Sequence, residues 1–225
     1  AYKAVILSQF GFGATIDFDD VSHKGITNIS TDDVAVAQEL GYVIKLVGDV
    51  REVESGISAE VSPTFLPKNH PLASVNDVMN AVFVESIGIG ESMYYGPGAG
   101  QKPTATSVLA DIIRIARRLS DGNVGKPFNE FRRDLPLANP ADVKSNYYFA
   151  LDTPDEKGKI LHLSEIFNSE DISFEQVLQQ KANGTTARIV VITHAMSKTQ
   201  LQAVTEKLEA AEDFTVVNTL KVLSN

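Results

Sequence analysis

The sequence contains no cysteine. That excludes a disulfide framework and thiolate chemistry, and it suits a reducing compartment such as the cytoplasm. Positive charge is also scarce: 20 lysines and arginines stand against 29 aspartates and glutamates, a formal net charge of −9. Such a balance argues against a nucleic-acid partner, since little is left to neutralise phosphates. The dense basic pairs, Arg117-Arg118 and Arg132-Arg133, lie beside acids or polar residues and read as solvated faces. No apolar run reaches the length of a membrane span, and no secretory signal is visible. The histidines, His23, His70, His162 and His194, are scattered without ligand spacing, so no metal site is expected. The chain also lacks an initiator methionine. It opens Ala1-Tyr2-Lys3-Ala4-Val5-Ile6-Leu7, inside what reads as a helix without a capping residue, and is expected to be a piece of a longer protein.

What is present is ordinary globular material: 225 residues, 43% hydrophobic and 22% charged, enough for one large domain or two ordinary ones. Residues 1–12 read as a buried helix ended by Gly11 and Gly13. Ser30-Thr31-Asp32-Asp33 is a capping box opening a second helix that Gly41 closes. Tyr42 to Val50 is β-rich. Gly56 to Leu66 alternates, with Ile57, Ala59 and Val61 opposite Ser58, Glu60 and Ser62. Pro63, Pro67 and Pro71 are expected to interrupt the connection that follows, before strands at 80–87 and 90–95. Helices followed by strands point to an α+β layer, a mostly open sheet covered by helices.

The stretch Gly96-Pro97-Gly98-Ala99-Gly100 hands over to a helix with Pro103 in its first turn and apolar residues at Val108, Leu109, Ile112 and Ile113. Two readings stay open: a loop lying against a charged or phosphorylated ligand, or a tight turn entering an ordinary helix. Breaker clusters at 121–127 and 135–140 place a linker at 121–145. It separates a first domain, 1–120, from a second, 146–225. The second reads βαββαβ, the order of a ferredoxin-like unit, with Ser197 to Gln200 as a capping box before its last helix. Such a single-sided sheet leaves a face that pairing with a second copy would cover.

Taken in order, Gly25 to Ile29, Glu39 to Leu46, Val61 to Pro67, His70-Pro71-Leu72, Asn80 to Val82 and Gly96 to Asp111 resemble homoserine dehydrogenase, over essentially all of residues 1–120. The resemblance implies a substrate and dimerisation domain that follows an absent nucleotide-binding domain. It implies NAD(P) as the intact enzyme's cofactor, none bound by this piece alone, and a homodimer formed through the substrate-domain sheet. Lys3 matches the family's catalytic lysine, whose aspartate partner four positions earlier would fall before Ala1. In that role Lys3 would place a proton on the aldehyde oxygen as hydride arrives. Burial in an apolar helix would make that proton easier to give up. The alternative is a surface lysine in a frayed first turn. Gly100 matches the glycine whose backbone lies against the nicotinamide cofactor, and the helix after it would return to the nucleotide domain.

Residues 146–225 resemble an ACT domain, a small-molecule regulatory module, through the order of elements and Ala187 to His194. The resemblance places a regulatory ligand at Asp152, Pro154 and Gly158, with threonine as the expected effector and ACT–ACT pairing as a second contact. Here Asp155-Glu156-Lys157 separates Pro154 from Gly158, where the usual pattern runs directly from Asp and Pro to Gly. A purely architectural role for the pair remains open. The function implied is interconversion of L-aspartate 4-semialdehyde and L-homoserine, towards threonine, methionine and isoleucine, with the piece inactive alone. The alternative is an amino-acid-sensing module on a dimerising scaffold.

Overall fold

The computed structural model describes residues 1–123, 131–182 and 184–223. In chain order its elements are α1 (Tyr2–Phe12), β1 (Ser22–His23), α2 (Thr31–Glu39), β2 (Tyr42–Val53), β3 (Gly56–Pro67), β4 (Met79–Ser86), β5 (Gly90–Pro97) and α3 (Gln101–Ser120). There follow β6 (Lys144–Pro154), α4 (Lys159–Asn168), β7 (Phe174–Ala182), β8 (Thr186–Thr193), β9 (Met196–Ser197), α5 (Lys198–Ala210) and β10 (Thr215–Val222). The fold is mixed α and β, as the sequence predicts.

Strand β3 pairs with three other strands of the larger sheet. Along one edge β2 pairs with it antiparallel over its whole length, from Tyr42 opposite Pro67 to Val53 opposite Gly56. Its other edge is shared in parallel: β1 takes Glu60 and Val61, and β10 takes Thr64 and Phe65. Odd-numbered residues of β3 turn their backbone groups to this second edge. Ile57 N–H donates to Pro136 O, Val61 O accepts from Lys24 N–H, and Phe65 O accepts from Leu223 N–H. Pro63 is in the same phase, so its missing N–H falls between the β1 and β10 segments, where no ladder bond is lost. It therefore sits inside the strand instead of interrupting it.

From β10 the sheet continues antiparallel through β6 and β8 to β7. The elements β6-α4-β7-β8-α5-β10 thus alternate as read from the sequence, apart from the two-residue β9 before α5. On one face α4 and α5 bury Leu163, Phe167, Val204 and Leu208 against Phe149, Leu151 and Ile189. The opposite face is not left for a second copy, contrary to the expectation. Helix α2 lies over it, packing Val36 and Ala37 into a cluster with Phe65, Tyr148, Ala150 and Ile192. The capping box predicted at Ser30 and Asp33 is present and fixes where this helix begins.

The compact units also divide differently from the expected 1–120, 121–145 and 146–225. Ala1–Pro67 and Phe131–Asn225 form one unit, and Lys68–Glu130 forms the other. The reason is the parallel seam between β3 and β10, together with the return of Pro136 and Ala138 to Ile57. Residues 124–130 of the expected linker lie outside the described residues, as do 183, 224 and 225 of the second domain. Within the smaller unit, β4 and β5 form a two-stranded hairpin in register from Met79 opposite Pro97 to Ser86 opposite Gly90. His70 accepts a hydrogen bond from Leu72 N–H and packs its ring, tilted, with its centroid 4.9 Å from that of Phe83, a structural role.

Candidate functional site

Helix α1 buries Ala4 and Ser8, one turn apart, against a cluster that includes Ala14, Ile16 and Ile57. Ser8 Oγ donates to Ala14 O at 3.0 Å, and Gly13 caps the helix end. With that face committed, the spacing i, i+3, i+7 places Lys3, Ile6 and Phe10 outward. Lys3 is exposed, and its neighbours Tyr2, Ile6 and Phe10 are 73%, 58% and 60% exposed. The expectation of a buried helix is therefore corrected: only its small residues are buried, and Lys3 stands among exposed apolar side chains. Whatever covers that surface would take water away from the ammonium group.

The glycine stretch lies in the smaller unit. Gly98 N–H donates to Val78 O at 3.0 Å. A Cβ on Gly98 would stand 2.0 Å from Asn80 Nδ2, so the turn is closed around Asn80. Gly100 begins α3 at φ 120° and ψ 157°, a backbone state reserved for glycine. A Cβ there would meet only Pro103, at 3.5 Å. The demand is conformational, and the space beside the Cα is open. No residue of α3 is buried; Val108, Leu109, Ile112 and Ile113 are all exposed.

At the end of β6, the Asp152 carboxylate is already held. Arg188 donates Nε and Nη2 to its two oxygens at 2.8 and 3.0 Å, a bidentate pair that raises the guanidinium's affinity for its proton. Pro154 ends the strand opposite Thr186. Gly158 is the N-cap of α4, with no side chain capping that end. The inserted residues fold locally: Asp155 N–H donates to Thr185 O, and Glu156 pairs with Lys159 at 3.6 Å. Lys159 and His162 both contact Asp213, at 3.2 and 3.0 Å. Burial alone would raise Asp213; these two hydrogen bonds outweigh it and hold the carboxyl below its usual range. Thr153 Oγ1, one residue from Pro154, is buried without a hydrogen-bond partner.

Two polar clusters escape sequence reasoning. Asp33, 1% exposed, accepts from Ser30 N–H, Ser30 Oγ, Asn218 Nδ2 and Tyr148 Oη. Burial pushes its carboxyl up, and these donors more than reverse the push. Lys221, 6% exposed, touches both Asp49 and Glu60, while Lys198 pairs with Glu60 at 2.7 Å and Arg51 with Asp49. Both carboxyls are again pushed up by burial and pulled below their usual values by these cations. Tyr147, buried beside Glu60, is pushed up to about 12. Partners 115 to 185 residues apart leave no local pattern to read.

Among the described residues, no cluster of three or more His, Asp or Glu side chains could hold a metal ion. No described helix is long and apolar enough to cross a membrane.

Comparison with known proteins decides the family. The homoserine dehydrogenase family model matches residues 1–113, from the helix carrying Lys3 into the helix after Gly100. The chain belongs to the homoserine dehydrogenase family. The homoserine dehydrogenase of Lactococcus lactis is 58% identical over 225 residues, covering 100% of this chain and 53% of that protein. That of Bacillus subtilis is 35% identical over 214 residues, covering 94% and 49%. Among solved structures, a homoserine dehydrogenase from Thiobacillus denitrificans superposes with a TM-score of 0.90 at 30% identity, over 99% of this chain and 52% of that one. The chain thus spans about half the length of the relatives it matches.

Proposed function

We propose that this chain supplies the substrate and assembly half of an NAD(P)-dependent homoserine dehydrogenase that interconverts L-aspartate 4-semialdehyde and L-homoserine. The observation that carries the reading is the 58% identity, over all 225 residues of this chain, with the Lactococcus lactis homoserine dehydrogenase. Lys3 is the acid and base: its ammonium gives a proton to the aldehyde oxygen as alkoxide character develops, and takes it back in the reverse direction. A bound nicotinamide would supply the hydride chemistry at the carbon bearing that oxygen. Gly100 fits a backbone wall for that ring, because its conformation is glycine's own and the space beside its Cα is open. Residues 1–120 act as the substrate and dimerisation part, and the exposed apolar side chains of α1, α3 and the β4–β5 hairpin are its contact surfaces. A homodimer in the cytoplasm, feeding threonine, methionine and isoleucine synthesis, is the setting this implies.

The test is a chimera in which this chain replaces the matching half of the Lactococcus protein. Turnover of aspartate semialdehyde with NADPH by the chimera, and none by the chain alone, is the expected result. A silent but folded, NADPH-binding chimera would contradict the assignment.

A second reading, regulation by an amino acid, is favoured by one observation. The buried, unpartnered Thr153 hydroxyl lies at the end of β6, in the strand that leads through Pro154 to the uncapped start of α4 at Gly158. We infer an ACT-type module in residues 146–225, with threonine as effector at the loop from Pro154 to Gly158. The Arg188 pair leaves the Asp152 carboxylate an organising role. Calorimetric titration of L-threonine is expected to show one site per chain. Binding only after deletion of Asp155-Glu156-Lys157 would make the insertion a block, and no heat from either protein would leave the module architectural.

A further inference from the structure

At the opposite end of the same sheet, where β6 begins and β10 ends, two cavities share Leu40. One, of about 300 Å³, is lined by Leu40, Val177, Leu178, Val190 and Ile192, with Gln176 at its side. The other, of about 390 Å³, is bounded by Gly41, Tyr42, Asn146, Glu175 and Val222. The first is lined mostly by apolar side chains, with Gln176 among them, and the second carries the charged group. Each is of a size that holds a small molecule.

The charge of the second cavity has one sign. Among the described residues, no lysine, arginine or histidine lines it. Glu175 is exposed and spends one oxygen, Oε2, on Asn146 Nδ2 at 2.9 Å. The C-terminal turn of α2 ends on the rim at Leu40 and Gly41, and that turn contains no basic residue, so the helix end adds partial negative charge. Tyr42 offers a ring face, and burial followed by the nearby Glu175 keeps its hydroxyl protonated.

We propose that this pair of adjoining cavities binds a small primary alkylammonium ion, its stem along Leu40, Leu178 and Ile192 and its charged head between Glu175 and Tyr42. A zwitterionic amino acid is disfavoured, because no cation is present to receive its carboxylate. The site is separate from the loop at Gly158 and stands whether or not that loop senses threonine.

The experiment is a titration of n-butylammonium chloride into the isotope-labelled protein, followed by the amide shifts of Gly41, Glu175 and Leu178. Sodium butyrate and n-butanol, which have the same stem with opposite or no charge, serve as comparisons. The expected result is saturable shifts with the ammonium alone, weakened at least ten-fold by Glu175→Gln. Because Glu175 is exposed, the amide is expected to leave the fold intact, and an unchanged spectrum elsewhere checks this. Equal binding of butanol or butyrate, unchanged affinity in Glu175→Gln, or no saturable shift at all would overturn the proposal.

Discussion

The hydroxyl of Tyr148 donates to Asp33 Oδ1 at 2.9 Å, tying the capping box of α2 to a strand 115 residues later. One carboxylate therefore does two jobs. It caps the start of the helix, and it fastens that helix over the face of the β6–β8 sheet that would otherwise be open. Asn218 on β10 donates to the other oxygen at 3.0 Å, so three elements meet at one buried acid.

Acid is expected to loosen this arrangement. Asp33, Asp49 and Glu60 all titrate below their ordinary values of 3.8, 3.8 and 4.5 in the folded chain. The unfolded chain therefore binds protons first as pH falls. The stability these groups contribute is complete above their unfolded values and is lost as pH drops through them towards the lowered folded ones. Thermal unfolding followed from about pH 7 to about pH 3 is expected to show Tm falling below about pH 4.5. Asp33→Asn is expected to lower Tm at neutral pH and to flatten the acid limb. A Tm independent of pH over that range would contradict the assigned contacts.

The Lys221 cluster has a different signature. Lys221→Met would leave Asp49 to Arg51 and Glu60 to Lys198 while the two carboxylates face each other across a buried seam, a loss of up to about 3 kcal/mol. Adding Glu60→Gln removes part of the stranded charge, so the double variant is expected to be more stable than the two single losses summed. Denaturant unfolding of the four proteins in that cycle measures the coupling. Additive losses would mean that the seam does not depend on this pair.

Gly56 and Gly88 separate backbone demand from mere presence of glycine. Gly56 sits at φ 142°, and a Cβ there would stand 2.1 Å from the carbonyl oxygen of Pro136. Gly56→Ala must either push away residues 136–138 or break the β2–β3 turn, a loss of about 3 kcal/mol. At Gly88 nothing lies within 4 Å of an added Cβ. Gly88→Ala is expected to change stability by less than about 0.5 kcal/mol. Equal unfolding midpoints for the two variants would show that the return of Pro136 to Ile57 contributes little.

How much of this was legible in the sequence follows the range of each interaction. Capping boxes are local, so Ser30 with Asp33 and Ser197 with Gln200 were readable and are formed. The alternation of Ile57, Ala59 and Val61 gave β3, but not its burial on both faces, because the covering helices and β10 arrive from distant parts of the chain. Pro63 misled for the same reason: a proline is tolerated where the neighbouring edge has a gap, and that gap is set by β1 and β10. The domain boundary was drawn from punctuation, whereas the compact unit is decided by the seam at Thr64 and Phe65. At the candidate site, Lys3 was named from its resemblance. Its exposure fits the alternative left open there, a surface lysine in the first turn, and the apolar run Ala4 to Leu7 hides this, since only Ala4 of those four is buried. Asp152 was named as well, but its pairing with Arg188 belongs to the register of β6 against β8.

The measurement closest to the central claim is kcat for Lys3→Ala in the Lactococcus chimera, beside its thermal unfolding. Lys3 is exposed, so its loss should leave the unfolding curve unchanged. If Lys3 moves the proton, kcat is expected to fall by about 10²–10⁴ while NADPH affinity holds. An unchanged kcat would contradict the assignment and remove Lys3 from the chemistry.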